Sequence, residues 1–154
     1  MQKNETKTIT TNRKAFHEYF IEEKFTAGIA LQGTEVKAIR TGQVNLKDSY
    51  ARVVKHEVFL VKCHIAPYDF GGYANHEPER ERRLLLQKKE IRRLERVLDT
   101  PGITLVPLSI FITQRGKIKV ELGVARGKKQ YDKRQALAKR QAHREIEHFR
   151  KDHI

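Results

Sequence analysis

Tyr19-Phe20-Ile21-Glu22-Glu23-Lys24-Phe25-Thr26-Ala27-Gly28-Ile29-Ala30-Leu31 is the stretch on which the fold turns. Tyr19, Ile21, Glu23 and Phe25 would share one face of an extended chain, with Phe20, Glu22 and Lys24 on the other. That is a period of two, which suits a strand and not a helix. The expectation is one long strand through Leu31, with Gly28 permitting a bend. Upstream, Asn12 is a good N-cap for a short helix, although Arg13 and Lys14 bring positive charge to its first turn. Residues 1–11 are polar and rich in Thr and Lys, so they are expected to form a flexible N-terminus.

Downstream, residues 33–42 read as a two-turn helix with Thr34 as N-cap, Glu35 suiting the first-turn dipole and Gly42 as the stop. Val36 and Ile39 would face the core. Strands are expected over residues 49–54 and 58–65, joined through Lys55-His56-Glu57. Residues 67–79, with their Pro, Gly and Asn content, read as an irregular loop. Residues 80–99 read as one helix: Leu84, Ile91, Leu94 and Leu98 fall on a stripe, Glu79 and Arg83 make an i,i+4 pair, and Thr100-Pro101-Gly102 ends it. A hairpin follows, with strands at 103–112 and 117–125 around Thr113-Gln114-Arg115-Gly116. In its second strand Ile118, Val120, Leu122 and Val124 alternate with Lys117, Lys119, Glu121 and Gly123.

Five or six strands with a few helices predict a mainly β fold: an OB-like small β-barrel over residues 12–125, with about three peripheral helices. Residues 126–154 then form a basic C-terminal tail, with ten Lys or Arg against four acids. Ala138, Ala142, Ile146 and Phe149 are spaced for one helical face. The stripe is narrow, so the tail is expected to be disordered when free and helical when bound.

Charge narrows the function. Thirty-two Lys and Arg against nineteen Asp and Glu give a formal charge of +13. Such a chain concentrates polyanions around itself, and nucleic acid adds counterion release for each phosphate neutralised. A membrane is the weaker alternative, because no apolar run approaches the roughly 20 residues needed to span one. The N-terminus lacks the apolar stretch of a signal peptide. The single cysteine, Cys63, excludes an internal disulfide framework and fits a reducing compartment, so a cytoplasmic location is expected.

Catalytic signatures are missing. The two serines, Ser49 and Ser109, lie outside any Gly-x-Ser-x-Gly elbow, and there is no Gly-x-x-x-x-Gly-Lys phosphate loop. Cys63-His64 has no second pair at zinc spacing. No catalytic residue, metal or cofactor is expected. RNA chemistry is better represented: Asn12, Arg13 and Lys14 stand beside His17 and Tyr19, mixing phosphate ligands with rings that stack on unpaired bases. The competing reading makes Tyr19 a core residue and the charges mere solvation. A constitutive ribosomal protein would share this composition, and an RNA-processing nuclease would need a carboxylate constellation that the chain does not display.

In order along the chain, several segments carry a resemblance. They are Asn12-Arg13-Lys14-Ala15 with His17-Glu18-Tyr19-Phe20-Ile21, then Ala27 to Lys37, Asp48-Ser49-Tyr50, Arg83-Leu84-Leu85-Leu86, and Gly123 to Lys129 running into Asp132-Lys133-Arg134. Together they resemble the SsrA-binding protein family, also called small protein B (SmpB). The resemblance implies a non-catalytic adaptor that holds the tRNA-like domain of transfer-messenger RNA (tmRNA). It also implies a tail that enters the empty decoding site and mRNA channel of a stalled ribosome. Elongation factor Tu would be met only indirectly, through aminoacylated tmRNA, and the protein would act as a monomer.

By position in that family, Asn12, Leu85 and Lys119 correspond to body residues used for RNA binding, with Arg13, Lys14, His17 and Tyr19 close by. Gly127, Lys128, Lys129, Tyr131, Asp132, Lys133 and Arg134 match its tail motifs. Two departures stand out. Thr26 occupies a position that is Glu in many relatives, and Tyr131 one that can be His.

Overall fold

The computed structural model describes residues 6–70 and 72–128. The decisive stretch is a strand, β2 (Tyr19–Ile29), and the elements before it are β1 (Lys7–Thr11) and α1 (Arg13–Glu18). After it come α2 (Gly33–Arg40), β3 (Val44–Asn45), β4 (Tyr50–Val54), β5 (Glu57–Val61), β6 (His64–Ile65) and β7 (Arg82–Leu85). The last are α3 (Lys88–Leu98), β8 (Ile103–Ile112) and β9 (Ile118–Gly127).

Seven antiparallel strands run in the order β1-β8-β4-β5-β7-β2-β9, and β9 pairs again with β8. Six strands therefore close a ring of hydrogen bonds, with β1 attached outside it on β8. The ring is uneven. β9 is laddered to β2 and to β8 along most of its length, whereas β4 meets β8 only at Ala51 and Leu105, and β2 meets β7 only at Gly28–Leu85 and Ile29–Leu84. β3 and β6 make a separate two-stranded sheet.

Each strand of the ring supplies the main core: Phe25 and Ala27, Ala51, Val58 and Leu60, Leu84, Leu105 and Ile110, and Val120, Leu122 and Val124. Ile39 of α2 and Leu94 of α3 join them. A smaller core lies on the other face of β8 and β9, where Ala15 of α1 packs with Val106, Leu108 and Ala125, against Tyr19 and Ile21. Bulges at Ile21/Glu23 and Pro107/Ser109 shift the alternation, so both Leu105 and Ile110 reach the main core while Val106 and Leu108 turn toward α1. Gly123 makes this second core possible. A Cβ there would stand 2.9 Å from Leu108 Cδ1 and 3.1 Å from Ile21 Cγ2.

Several expectations are corrected. The helix foreseen over residues 80–99 is a strand followed by a helix, because Arg82 and Leu84 alternate into the interior and β7 fills the gap between β5 and β2. Gln87 caps α3, its N–H donating to Glu90 Oε1 at 3.0 Å, and Arg83 pairs with Glu57 at 3.6 Å instead of Glu79. Part of the N-terminus expected to be flexible is ordered: Lys-Thr-Ile-Thr-Thr, a β-favouring run, pairs with β8, and Ile9 packs on the main core, while residues 1–5 lie outside the described residues. The strand foreseen at 58–65 breaks at Lys62, whose φ of 62° turns the chain into the second sheet. The last strand extends past Ala125 to Gly127, into the stretch expected to be tail.

Among the described residues there are three α-helices, against about three expected, and α2 is capped from Gln32 and not from Thr34. Among the described residues no helix is long and apolar enough to cross a membrane.

Candidate nucleic-acid interface

Gly28 stands between β7 and β9, in register with Leu85 on one side and Lys119 on the other. Inward-facing Phe25, Ala27, Val120 and Leu122 leave Lys24, Thr26, Gly28, Lys119 and Glu121 on the outer face. Leu85 is 49% exposed there, unusual for a leucine on a strand that closes the ring. The missing side chain at Gly28 brings these groups together: a Cβ would lie 3.3 Å from Leu85 Cβ and 3.7 Å from Lys119 Nζ. The result is an apolar knob beside an ammonium over bare backbone, a surface on which a ribose or base and a phosphate can both rest. Thr26 lies opposite Glu121, so the carboxylate on this face comes from β9, where it meets Lys24 at 3.6 Å.

At the other end of β2, Asn12 is buried and fully engaged. Its Oδ1 accepts from the Ala15 N–H at 3.3 Å, capping α1, and its Nδ2 donates to Pro107 O at 2.9 Å and to Leu46 O at 3.4 Å. The backbone N–H of Asn12 donates to Leu108 O at 2.8 Å. Asn12 thus fixes where α1 sits, and Arg13, Lys14 and His17 are exposed from that helix. Lys14 Nζ donates to Asp48 Oδ1 at 2.6 Å. This pairing raises the Lys14 pKa and lowers that of Asp48, which is held at a φ of 63°.

Tyr19 meets both readings offered by its sequence. It packs on the small core and also lines a cleft of about 260 Å³ with Lys14, Glu18, Asp48 and Tyr50. β9 ends beside it. Gly127 pairs with Tyr19, and Lys128 Nζ donates to Phe16 O at 3.3 Å and lies 5.4 Å from the centre of the Phe20 ring. Phe16 and Phe20 are about two-fifths exposed. The body residues expected to bind RNA therefore form two groups. Nine residues of strand, about 30 Å along the chain at ~3.3 Å each, separate the Gly28 patch from the α1 patch. Lys129, Tyr131, Asp132, Lys133 and Arg134 lie outside the described residues.

Sequence patterning missed a buried ionic cluster beneath the loop. Glu35 and Arg82 are fully buried, with Arg82 Nε donating to Glu35 Oε2 at 2.5 Å. Glu35 Oε1 accepts from Arg80 at 2.5 Å and from the Gln32 N–H at 2.8 Å. Burial alone would raise the Glu35 pKa, but Arg80, the Gln32 N–H and Arg82 more than offset it and leave the value lowered. Arg82 also donates to Cys63 O and Pro78 O, and His76 is held between Thr34 and Ile65 O, both at 2.8 Å. Arg82 falls on the inward face of the alternation, the one trace of this cluster in the sequence. Cys63 is buried beside it, with its thiol pushed up to about 12 chiefly by desolvation. Among the described residues no group of His, Cys, Asp and Glu is arranged to hold a metal ion.

The profile of a known family, SmpB protein, matches residues 9–152. The chain belongs to the SmpB family. An SsrA-binding protein of Caldicellulosiruptor bescii is 57% identical over 153 residues, covering 99% of this chain and 96% of that one. Another from Thermoanaerobacter pseudethanolicus is 52% identical over 155 residues, covering 100% and 99%. A solved SmpB chain, described under the words "tmRNA-SmpB: a journey to the center of the bacterial ribosome", is 51% identical with a TM-score of 0.67. That match covers 77% of this chain and 83% of the other.

Proposed function

We propose that this protein is the non-catalytic RNA-binding adaptor of trans-translation: it binds the tRNA-like domain of tmRNA and carries it to stalled ribosomes. The observation that carries the reading is the end-to-end match to SsrA-binding proteins, more than half identical over nearly the whole chain. The fine architecture fits an OB-like barrel, a fold that commonly presents a sheet face to nucleic acid. The Gly28–Leu85–Lys119 surface and the Arg13–Lys14–His17–Tyr19 surface hold the RNA body. Asn12 acts by setting α1, not by touching RNA.

The tail, from Gly127 and Lys128 through Lys129, Tyr131, Asp132, Lys133 and Arg134, occupies the vacant decoding site and mRNA channel and becomes helical there. Elongation factor Tu is engaged only through aminoacylated tmRNA, and the protein works as a cytoplasmic monomer.

Two experiments test this. RNA copurifying with the protein from cells is expected to be dominated by tmRNA; a bulk mixture of rRNA and tRNA would overturn the assignment. Lys133→Ala with Arg134→Ala is expected to spare tmRNA affinity and abolish tagging of stalled peptides. Equal loss of both would refute the division between body and tail.

A further inference from the structure

Helix α3 carries charge that the fold does not use. At ~100° per residue, Ile91, Leu94, Val97 and Leu98 gather on the face that packs toward the main core. Lys88, Arg92, Arg96, Lys89 and Arg93 occupy the opposite face, over an arc of about 140°. All five are exposed. Three arginines elsewhere, Arg52, Arg83 and Arg126, each sit against a carboxylate, whereas exposed Arg13, Arg40 and Arg115 stand singly. On α3 only Arg93 is matched, held to Glu23 at 2.7 Å. Among the described residues the side chains of Lys88, Lys89, Arg92 and Arg96 have no hydrogen-bond or ion-pair partner.

The two acids of α3 do not neutralise this ridge. Glu90 is engaged with the Gln87 N–H, and Glu95 faces His56 Nδ1 at 2.8 Å on the flank. Four unpaired cations along three turns repel one another, which favours an anionic partner.

The ridge begins close to the Gly28 patch along the chain. Leu85 precedes Lys88 by three residues, so their Cα atoms lie within about 10 Å. From there Lys88, Arg92 and Arg96 step along the helix by about 6 Å each, at ~1.5 Å per residue. That interval is close to the spacing of successive phosphates on one strand.

We propose that α3 is a third RNA-binding element, and that Lys88, Lys89, Arg92 and Arg96 track the sugar–phosphate backbone of the same structured RNA that the Gly28 patch grips. The inference rests on the adaptor reading above and extends its RNA surface to a helix. Phosphate pairing of this kind sets register and orientation without reading bases.

The test is a salt titration of full-length protein on a transcript of the tRNA-like domain of tmRNA. Wild type is compared with Lys88→Gln/Lys89→Gln/Arg92→Gln/Arg96→Gln and with an equal-charge control, Lys7→Gln/Lys47→Gln/Lys62→Gln/Arg115→Gln. The α3 variant should bind with a log K against log[salt] slope shallower by about 2–4, roughly one for each phosphate no longer neutralised. The control should stay within about one of wild type. Singly, Arg92→Gln and Arg96→Gln should each flatten the slope by about one, which keeps the test open should the fourfold variant misfold.

An unchanged slope in the α3 variants, or an equal change in the control, would overturn the proposal. Retained RNA affinity with lost ribosome association would also overturn it, assigning the ridge to the ribosome. A wild-type protein unable to bind the transcript would overturn the adaptor reading itself, and this inference with it.

Discussion

Replacing Glu35 by Gln should be among the most damaging single changes in the body of this protein. Glu35 and Arg82 are both inaccessible to water, and their ion pair ties α2 to β7, the strand that closes the ring. Removing one partner of such a buried pair typically costs about 3–5 kcal/mol, because the other charge stays buried. Here Arg82 keeps Cys63 O and Pro78 O, and the amide oxygen of the substituted side chain would still accept from the Gln32 N–H. The lower end, about 3 kcal/mol, therefore applies.

For a chain of this length that corresponds to a Tm lower by about 6–12 °C. Urea unfolding followed by circular dichroism suits a protein without tryptophan, and the midpoint should fall at unchanged m. The double variant Glu35→Gln/Arg82→Met should recover part of the loss, since the fully buried Arg82 charge is then gone and Arg80, one-third exposed, can turn to water. Acid adds a further signature. The folded Glu35 pKa lies below its ordinary 4.5, so its contribution is complete above that value and is lost as pH falls through the lower folded one. Wild-type stability should therefore decline on acidification more steeply than that of the variant. A loss under about 1 kcal/mol at neutral pH, or no recovery in the double variant, would refute this account of the cluster.

Gly123→Ala should cost about 0.5–2 kcal/mol in the same assay, because overpacking against Leu108 and Ile21 exceeds the entropy gained by replacing a strand glycine; equal or higher stability would contradict it. Gly28→Val should weaken binding to the tRNA-like domain by displacing Leu85 and Lys119, while the Tm moves little; a large fall in Tm with affinity intact would reverse the interpretation. The Cys63 thiol should react with an aromatic disulfide at pH 8 at least about 1000-fold more slowly in native than in urea-unfolded protein; comparable rates would show that the site is open.

Much of the architecture was legible because it rests on local rules. The two-residue period of β2, the β8–β9 hairpin around Gly116 and the capping role of Asn12 each depend on residues close in sequence. What was hidden depends on distant partners. Arg-Arg-Leu-Leu before Lys-Lys-Glu-Ile joins smoothly to a helical stripe, and only the gap between β5 and β2 makes a strand of it. Lys7–Thr11 has nothing to bury alone and gains order from the edge of β8. Glu35 looked like an ordinary first-turn acid, because nothing local reveals an arginine 47 residues away.

The site followed the same pattern. Leu85 and Lys119 are separate residues in the chain, and pairing through Gly28 makes them neighbours. Asn12, expected among the RNA-binding residues and also as the N-cap of α1, spends its amide inside the protein.

The double pairing of β9 has a mechanical consequence. The strand is laddered on one edge to β2 and on the other to β8, and it ends at Gly127, where the basic tail begins. Force applied to the tail along the axis of β9 loads both ladders in shear, so many hydrogen bonds must yield together. The short seams at β2–β7 and β4–β8 would peel one bond at a time if they bore the load. With the tail held by one large assembly and the body by another, as proposed above, the most rupture-resistant strand would stand between the two grips.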